Sequence, residues 1–139
     1  MASSTSTQTT IPLVGRALVA LLFIPAGWAK IAAFSGVVGY IASKGVPFPE
    51  LAAAIAIAAE LGLGLSLLFG FKARWAALGL AVFVGVITPI FHNFWAAPAA
   101  QQMMQQQAFY KNVAVLGGLL VLFAFGPGAW SVDGKRGHA

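Results

Sequence analysis

Cysteine is absent from this 139-residue chain, and charge is scarce: 8% of the residues are Asp, Glu, Lys or Arg, and only three are acidic. Without cysteine the chain has no disulfide, no thiolate metal ligand and no dithiol redox chemistry of its own. Its charge content falls far below the roughly 25% of soluble domains. No stretch is both long and polar, so no extramembrane domain is expected. The net charge of +5 comes from basic residues dispersed near the ends of apolar runs. That is not the clustered stripe of a nucleic-acid binder, and no nucleic-acid partner is expected. Gly62 and Gly64 lie inside an apolar run and follow no strand pattern, so they do not make a nucleotide-binding loop. The opening MASSTSTQTT has no basic residue ahead of the first apolar run. This argues against a cleaved signal peptide, and residues 1–10 read as a disordered tail.

What the chain has is hydrophobicity: 60% of its residues are apolar and the mean hydropathy is +0.87. A bilayer core needs about 20 apolar residues per helix. Four runs reach that length, at 11–33, 48–70, 73–95 and 105–125. The expected fold class is therefore all-α, a four-transmembrane-helix bundle over residues 11–133, with 134–139 as a C-terminal tail. Pro25 and Pro89 predict kinks, because each frees a carbonyl four residues earlier that neighbouring helices must satisfy. The second connector, GFKAR, is a tight basic turn, and the third, AAPAAQQMMQQQ, is an uncharged Gln-rich cap. The first is too long for a simple turn. Residues 37–43 predict a short interfacial helix within it, ended by Gly45 and Pro47. Arg16, Lys72, Arg74, Lys135 and Arg136 fall on one side of the membrane, and Lys30, Lys44 and Lys111 on the other. The positive-inside rule then places both termini in the cytoplasm of a bacterial or archaeal inner membrane.

Glu60 stands near the centre of the second run. A charge at the bilayer centre costs roughly 2.5–3.5 kcal/mol on insertion scales, so it needs a partner, a proton or water. Ala53, Ala56 and Gly64 share its helical face, and such small residues admit a second helix closely. Gly79 and Gly85 in the third run, and Gly117 and Gly118 in the fourth, are candidate matching surfaces. Two lysines are within reach in depth: Lys30 near the outer end of the first run and Lys111 inside the outer end of the fourth. Either one bends inward to Glu60, or both snorkel outward and Glu60 is protonated.

The third run ends TPIFHNFW and the fourth begins FYKNVA, which brings His92, Asn93, Lys111 and Asn112 to one level above Glu60. With Lys30 they form a candidate ligand-binding or polar cluster in the outward half of the bundle. A quinone head group would suit it. Lys, His and Asn donate to its carbonyls, aromatics stack on its ring, and a buried carboxylate relays a proton. The competing reading is that the cluster only locks the helices together. His92 is a weak metal candidate, since His138 is the only other imidazole and no Cys is available; neither a metal nor a nucleotide cofactor is expected. At the cytoplasmic end, Arg16 and Asp133 are candidates for a structural clamp. No complete catalytic constellation is present in this chain alone.

The ordered set of Gly15–Arg16, AGWAK ending at Lys30, GVPFP at 45–49, ELGLGLSLLFG from Glu60, FHNFW at 91–95, Lys111–Asn112, GGLL at 117–120 and FGPG leading to Asp133 resembles the DoxX family of small membrane proteins. The resemblance runs from about Pro12 to Asp133. It implies a four-helix membrane bundle. Some relatives are subunits of a thiosulfate:quinone oxidoreductase, others belong to complexes that handle sulfur or oxidative stress, and distant ones are cargo-binding or assembly proteins. The leading expectation is a membrane subunit of a redox complex that binds quinone or anchors a catalytic partner, working with a partner subunit or as a homo-oligomer. The alternatives are a non-enzymatic scaffold, assembly or cargo-binding protein, and a small-solute carrier built by oligomerisation.

Overall fold

The computed structural model describes residues 6–137, and among them no strand occurs. Four helices are long and apolar enough to cross a membrane: α1 (Ser6–Ala32), α3 (Pro49–Phe69), α4 (Ala73–Phe91) and α5 (Ala99–Phe125). Helix α2 (Phe34–Ser43) follows α1 after a one-residue break, and α6 (Val132–Lys135) is a single turn. A 3₁₀ turn, Phe94–Ala96, bridges α4 and α5. Two boundaries differ from the sequence reading. Ser6–Thr10, expected in the disordered tail, form the first turns of α1. The connecting helix α2 begins three residues earlier than predicted, at Phe34 rather than Val37.

The helices pack largely as a row. α1 lies on α3, α3 on α4, and α4 on α5, with α1–α3 and α4–α5 the two most extensive pairs. The core is Phe23 from α1, Leu67 from α3, Ala77, Leu80, Ala81 and Val84 from α4, and Leu119 from α5. The alanines of α4 keep these axes close, since without a water-driven hydrophobic force membrane helices associate through tight packing. Leu119 is the only buried residue described in α5, so this helix presents most of its surface outward. Leu18, Leu21, Ile55, Val82, Val86, Val121 and Phe125 form the exposed apolar coat expected of surfaces solvated by lipid.

Gly70 sets the hairpin between α3 and α4. With φ of +69° it closes α3: its own N–H bonds to the Leu67 carbonyl and the Phe71 N–H to that of Ser66. This is the helix-ending arrangement that favours glycine. A Cβ there would lie 2.3 Å from Cβ of Ser131, so the close approach of the C-terminal segment requires glycine as well. Arg16 of α1 bonds to the Leu68 carbonyl beside this turn. The ten helical residues before Arg16 therefore continue about 15 Å past the turn. There Pro12 lies against Gly128.

Candidate functional site

The buried residues of α3 follow one stripe: Ala53, Ala56, Glu60, Gly64 and Leu67. In the middle of that stripe the helix widens into a π-helical turn, Ala58–Leu63, which carries Glu60. Gly27 of α1 faces this turn. A Cβ on Gly27 would sit 2.8 Å from Cγ of Leu61 and 3.0 Å from the Leu61 backbone nitrogen, so a hydrogen at this position allows α1 to seat against the widened turn. Gly64 works the same way one turn below, where an added Cβ would lie 3.1 Å from Cγ1 of Ile24.

Three residues after Gly27, Lys30 reaches Glu60. Its Nζ donates to Oε1 at 3.0 Å and lies 2.9 Å from Oε2. Both carboxylate oxygens therefore lie against the ammonium, with the Oε1 contact aligned as a hydrogen bond. The pair is asymmetric, with the Glu60 side chain 7% exposed and that of Lys30 29% exposed. The carboxylate is thus fixed between α1 and α3, and the ammonium is the side through which it meets its surroundings.

The other polar residues lie in a different seam, between α4 and α5. Asn112 donates through Nδ2 to Oγ1 of Thr88 at 3.1 Å, and the Thr88 hydroxyl donates to the Val84 carbonyl at 2.6 Å. Nδ1 of His92 pairs with Oε1 of Gln105 at 2.8 Å. Asn93 opens the 3₁₀ turn, and its carbonyl accepts from the Ala96 N–H. Phe94, Trp95, Phe109 and Tyr110 stack edge-on or tilted around that turn. Lys111 lies on the exposed side of α5, in an open groove with Met103, Gln107, Tyr110 and Ala114. Of the two lysines considered for Glu60, Lys30 is therefore the partner. His92 and Asn112 tie the C-terminal end of α4 to α5. Lys30 and Glu60 thus meet between α1 and α3, His92 and Asn112 bond across α4 and α5, Lys111 faces outward on α5, and no hydrogen bond or ion pair joins the two seams among the described residues. His138 lies outside the described residues.

At the opposite end, Arg16 is buried to 2% exposure. Its Nε donates to the Leu68 carbonyl at 3.1 Å, and its two terminal nitrogens donate to the carbonyls of Pro127 and Trp130. Asp133 makes a different set of bonds: Oδ1 accepts from the Lys72 N–H and Oδ2 from the Ala73 N–H, both at 2.8 Å. These are unpaired donors at the start of α4, where a carboxylate also meets the positive end of the helix dipole. Arg16 and Asp133 hold the same corner, but no ion pair joins them among the described residues. Each fastens the C-terminal segment to a different helix end.

The DoxX family model matches residues 11–93, which is α1 through His92 and Asn93. The chain belongs to the DoxX family. It is similar to the inner membrane protein YqjF of Escherichia coli, with 40% identity over 87% of this chain and 88% of that protein. It is also similar to the inner membrane protein YphA of the same organism, with 37% identity over 87% and 86%. A Surfeit locus protein 4 homolog of Schizosaccharomyces pombe is 35% identical over 48% of this chain but only 23% of its own length. No solved structure matches. The DoxX match takes in Lys30, Glu60, His92 and Asn93, whereas Lys111, Asn112 and Asp133 lie beyond it. In this DoxX chain the seam that carries the Lys30–Glu60 pair is thus wholly inside the matched region.

Three participants were not identified from sequence: Gly27, Thr88 and Gln105. Gly27 sits one turn before Lys30 within AGWAK, and that spacing was the available signal. Thr88 directly precedes Pro89, where a hydroxyl pointing back at a carbonyl is common in membrane helices. Gln105 is one of several glutamines in its run, and nothing in the sequence distinguishes it from its neighbours.

Proposed function

We propose that this chain is the membrane subunit of a redox complex, that it binds a quinone head group at the Lys30–Glu60 pair, and that an associated partner subunit supplies the electrons. The observation that carries this reading is a carboxylate whose side chain is 7% exposed, paired within the spans with an ammonium that is 29% exposed. Ionisable residues inside a membrane are costly, and they commonly mark functional positions. A quinone accepts hydrogen bonds at its carbonyls, and the quinol form donates from its hydroxyls. Lys30 suits the first state and Oε2 the second. Bound there, the ring would take up two electrons and two protons, and Lys30 and Glu60 are the groups in this chain placed to hold those protons. The π turn under Glu60 adds support, since such turns frequently occur at functional positions. The names of the E. coli relatives together with the basic inner end argue for an inner-membrane location with both termini in the cytoplasm.

The test is titration of the purified chain in nanodiscs with a short-chain ubiquinone, following thermal stability and the infrared carboxyl band of Glu60. Wild type should gain stability and shift that band, while Lys30→Met and Glu60→Gln should do neither. If saturating quinone leaves wild type unchanged, the quinone reading is wrong. If a soluble partner then copurifies equally with wild type and both variants, the chain is an anchor or assembly scaffold.

A further inference from the structure

The inner end of the bundle carries a charge that the Lys30–Glu60 reading leaves unused. Arg16, Lys72, Arg74, Lys135 and Arg136 are all there, and the one acid among them, Asp133, is spent on the start of α4. Arg16 bonds only to neutral carbonyls. Those bonds occupy three of the five N–H groups of a guanidinium; Asp133 acts on its charge from the same corner but without a direct contact. Beside it runs a groove of about 510 Å³. Leu13, Leu68 and Phe69 form its apolar wall, while Trp130, Ser131 and Lys135 form the side toward the membrane surface. Trp130 and Trp75 are exposed at this level, where tryptophans favour the headgroup region. Phe71 sits between two more cations, with Nζ of Lys72 and the Arg136 guanidinium each 5.7 Å from its ring centre.

We propose that this corner is a binding site for an anionic phospholipid, with one acyl chain along Leu68 and Phe69 and the headgroup between Leu13, Trp130 and Lys135, its phosphate facing Arg16. The groove has the amphipathic character of a lipid: apolar along the span, basic at the rim, and bounded by an indole. A zwitterionic lipid fills the apolar part equally well but brings its own cation to a rim that is already basic. Selectivity for net negative headgroups therefore follows from charge complementarity. The site also has a structural consequence. Its walls come from α1, α3 and the C-terminal segment, so a bound lipid would join the three elements that Arg16 already links through carbonyls.

Native mass spectrometry of the intact chain, released from micelles doped with equal amounts of phosphatidylglycerol and phosphatidylcholine of the same acyl chains, tests the site. Phosphatidylglycerol should be retained preferentially. Removing rim charge by Lys135→Gln with Arg136→Gln should cut that preference about twenty-five-fold, at about fivefold per surface cation. These side chains are exposed, so the variant should fold. Lys44→Gln with Lys111→Gln, at the other end, should leave the preference intact. Equal retention of the two lipids, or the same loss from either pair of variants, would overturn the proposal. Displacement of phosphatidylglycerol by millimolar inorganic phosphate would show that the corner recognises free phosphate rather than lipid, and would overturn it too.

Discussion

Replacing Lys30 by Met removes the cation bonded to Glu60 while keeping the length and apolar stem of the side chain. Breaking a fully buried ion pair by deleting one partner costs roughly 3–5 kcal/mol. That figure is an upper limit here, because the Lys30 side chain is 29% exposed and the pair is only partly buried. Glu60 can also shed its charge by taking a proton. We therefore expect Lys30→Met to cost about 2 kcal/mol, between the surface and buried limits. Glu60→Gln should cost less, because its amide oxygen still accepts from Lys30. The double variant Lys30→Met with Glu60→Gln should recover about 1 kcal/mol relative to the sum of the singles, as groups in direct contact do. Titration with SDS in mixed micelles, followed by circular dichroism, measures all four corners of the cycle. Additive losses within about 0.3 kcal/mol would show that the pair is not coupled, and the placement of Lys30 over Glu60 would be refuted.

The close approach at Gly27 gives a second expectation: Gly27→Ala should destabilise by about 1–3 kcal/mol through overpacking against Leu61, whereas Gly36→Ala in α2, where nothing lies within 4 Å, should be neutral or slightly stabilising in the same unfolding assay. Asp133→Ala should cost about 2 kcal/mol by stranding the Lys72 and Ala73 N–H groups, and Asp133→Asn about half as much; thermal melting that orders the two the other way would contradict the capping role. For orientation, Lys72→Cys should be shielded from an impermeant thiol reagent applied to intact cells, and Gln106→Cys labelled; the reverse pattern would invert the topology.

How far the sequence could be read depended on whether a feature is set by local composition or by packing. Four spans were legible because apolar length is a property of the chain alone, and their observed ends fall within a few residues of those expected at most boundaries. The start of α1 was missed because Ser and Thr are neutral in a helix. Within 6–10 the Gln8 carbonyl lies beside Gly128, where an added Cβ would meet it at 3.4 Å, so this turn packs on the C-terminal segment, a contact the local sequence does not show. Glu60 was identifiable as buried because its stripe of small residues has helical spacing. Which lysine it meets was not, since Lys30 and Lys111 were comparably placed in depth. The choice depends on helix order: α1 lies on α3, whereas α5 lies on α4.

That same order explains why the polar residues divide. A closed four-helix bundle would point Glu60, His92 and Lys111 toward one axis, and depth alone would then imply contact. In a row, each seam is a two-helix interface with its own polar tie. Lys30–Glu60 holds α1 to α3, and Asn112–Thr88 with His92–Gln105 holds α4 to α5. The two ties differ in chemistry. In the second, hydrogen-bonding side chains satisfy one another without an ion pair, as a structural lock requires. In the first, a carboxylate buried within the spans is paired with a cation that is partly open. A lock alone would be served as well by a neutral pair at lower desolvation cost. The retention of charge at Glu60 is therefore the feature most in need of a functional explanation, and the α1–α3 seam is where a ligand should be sought first.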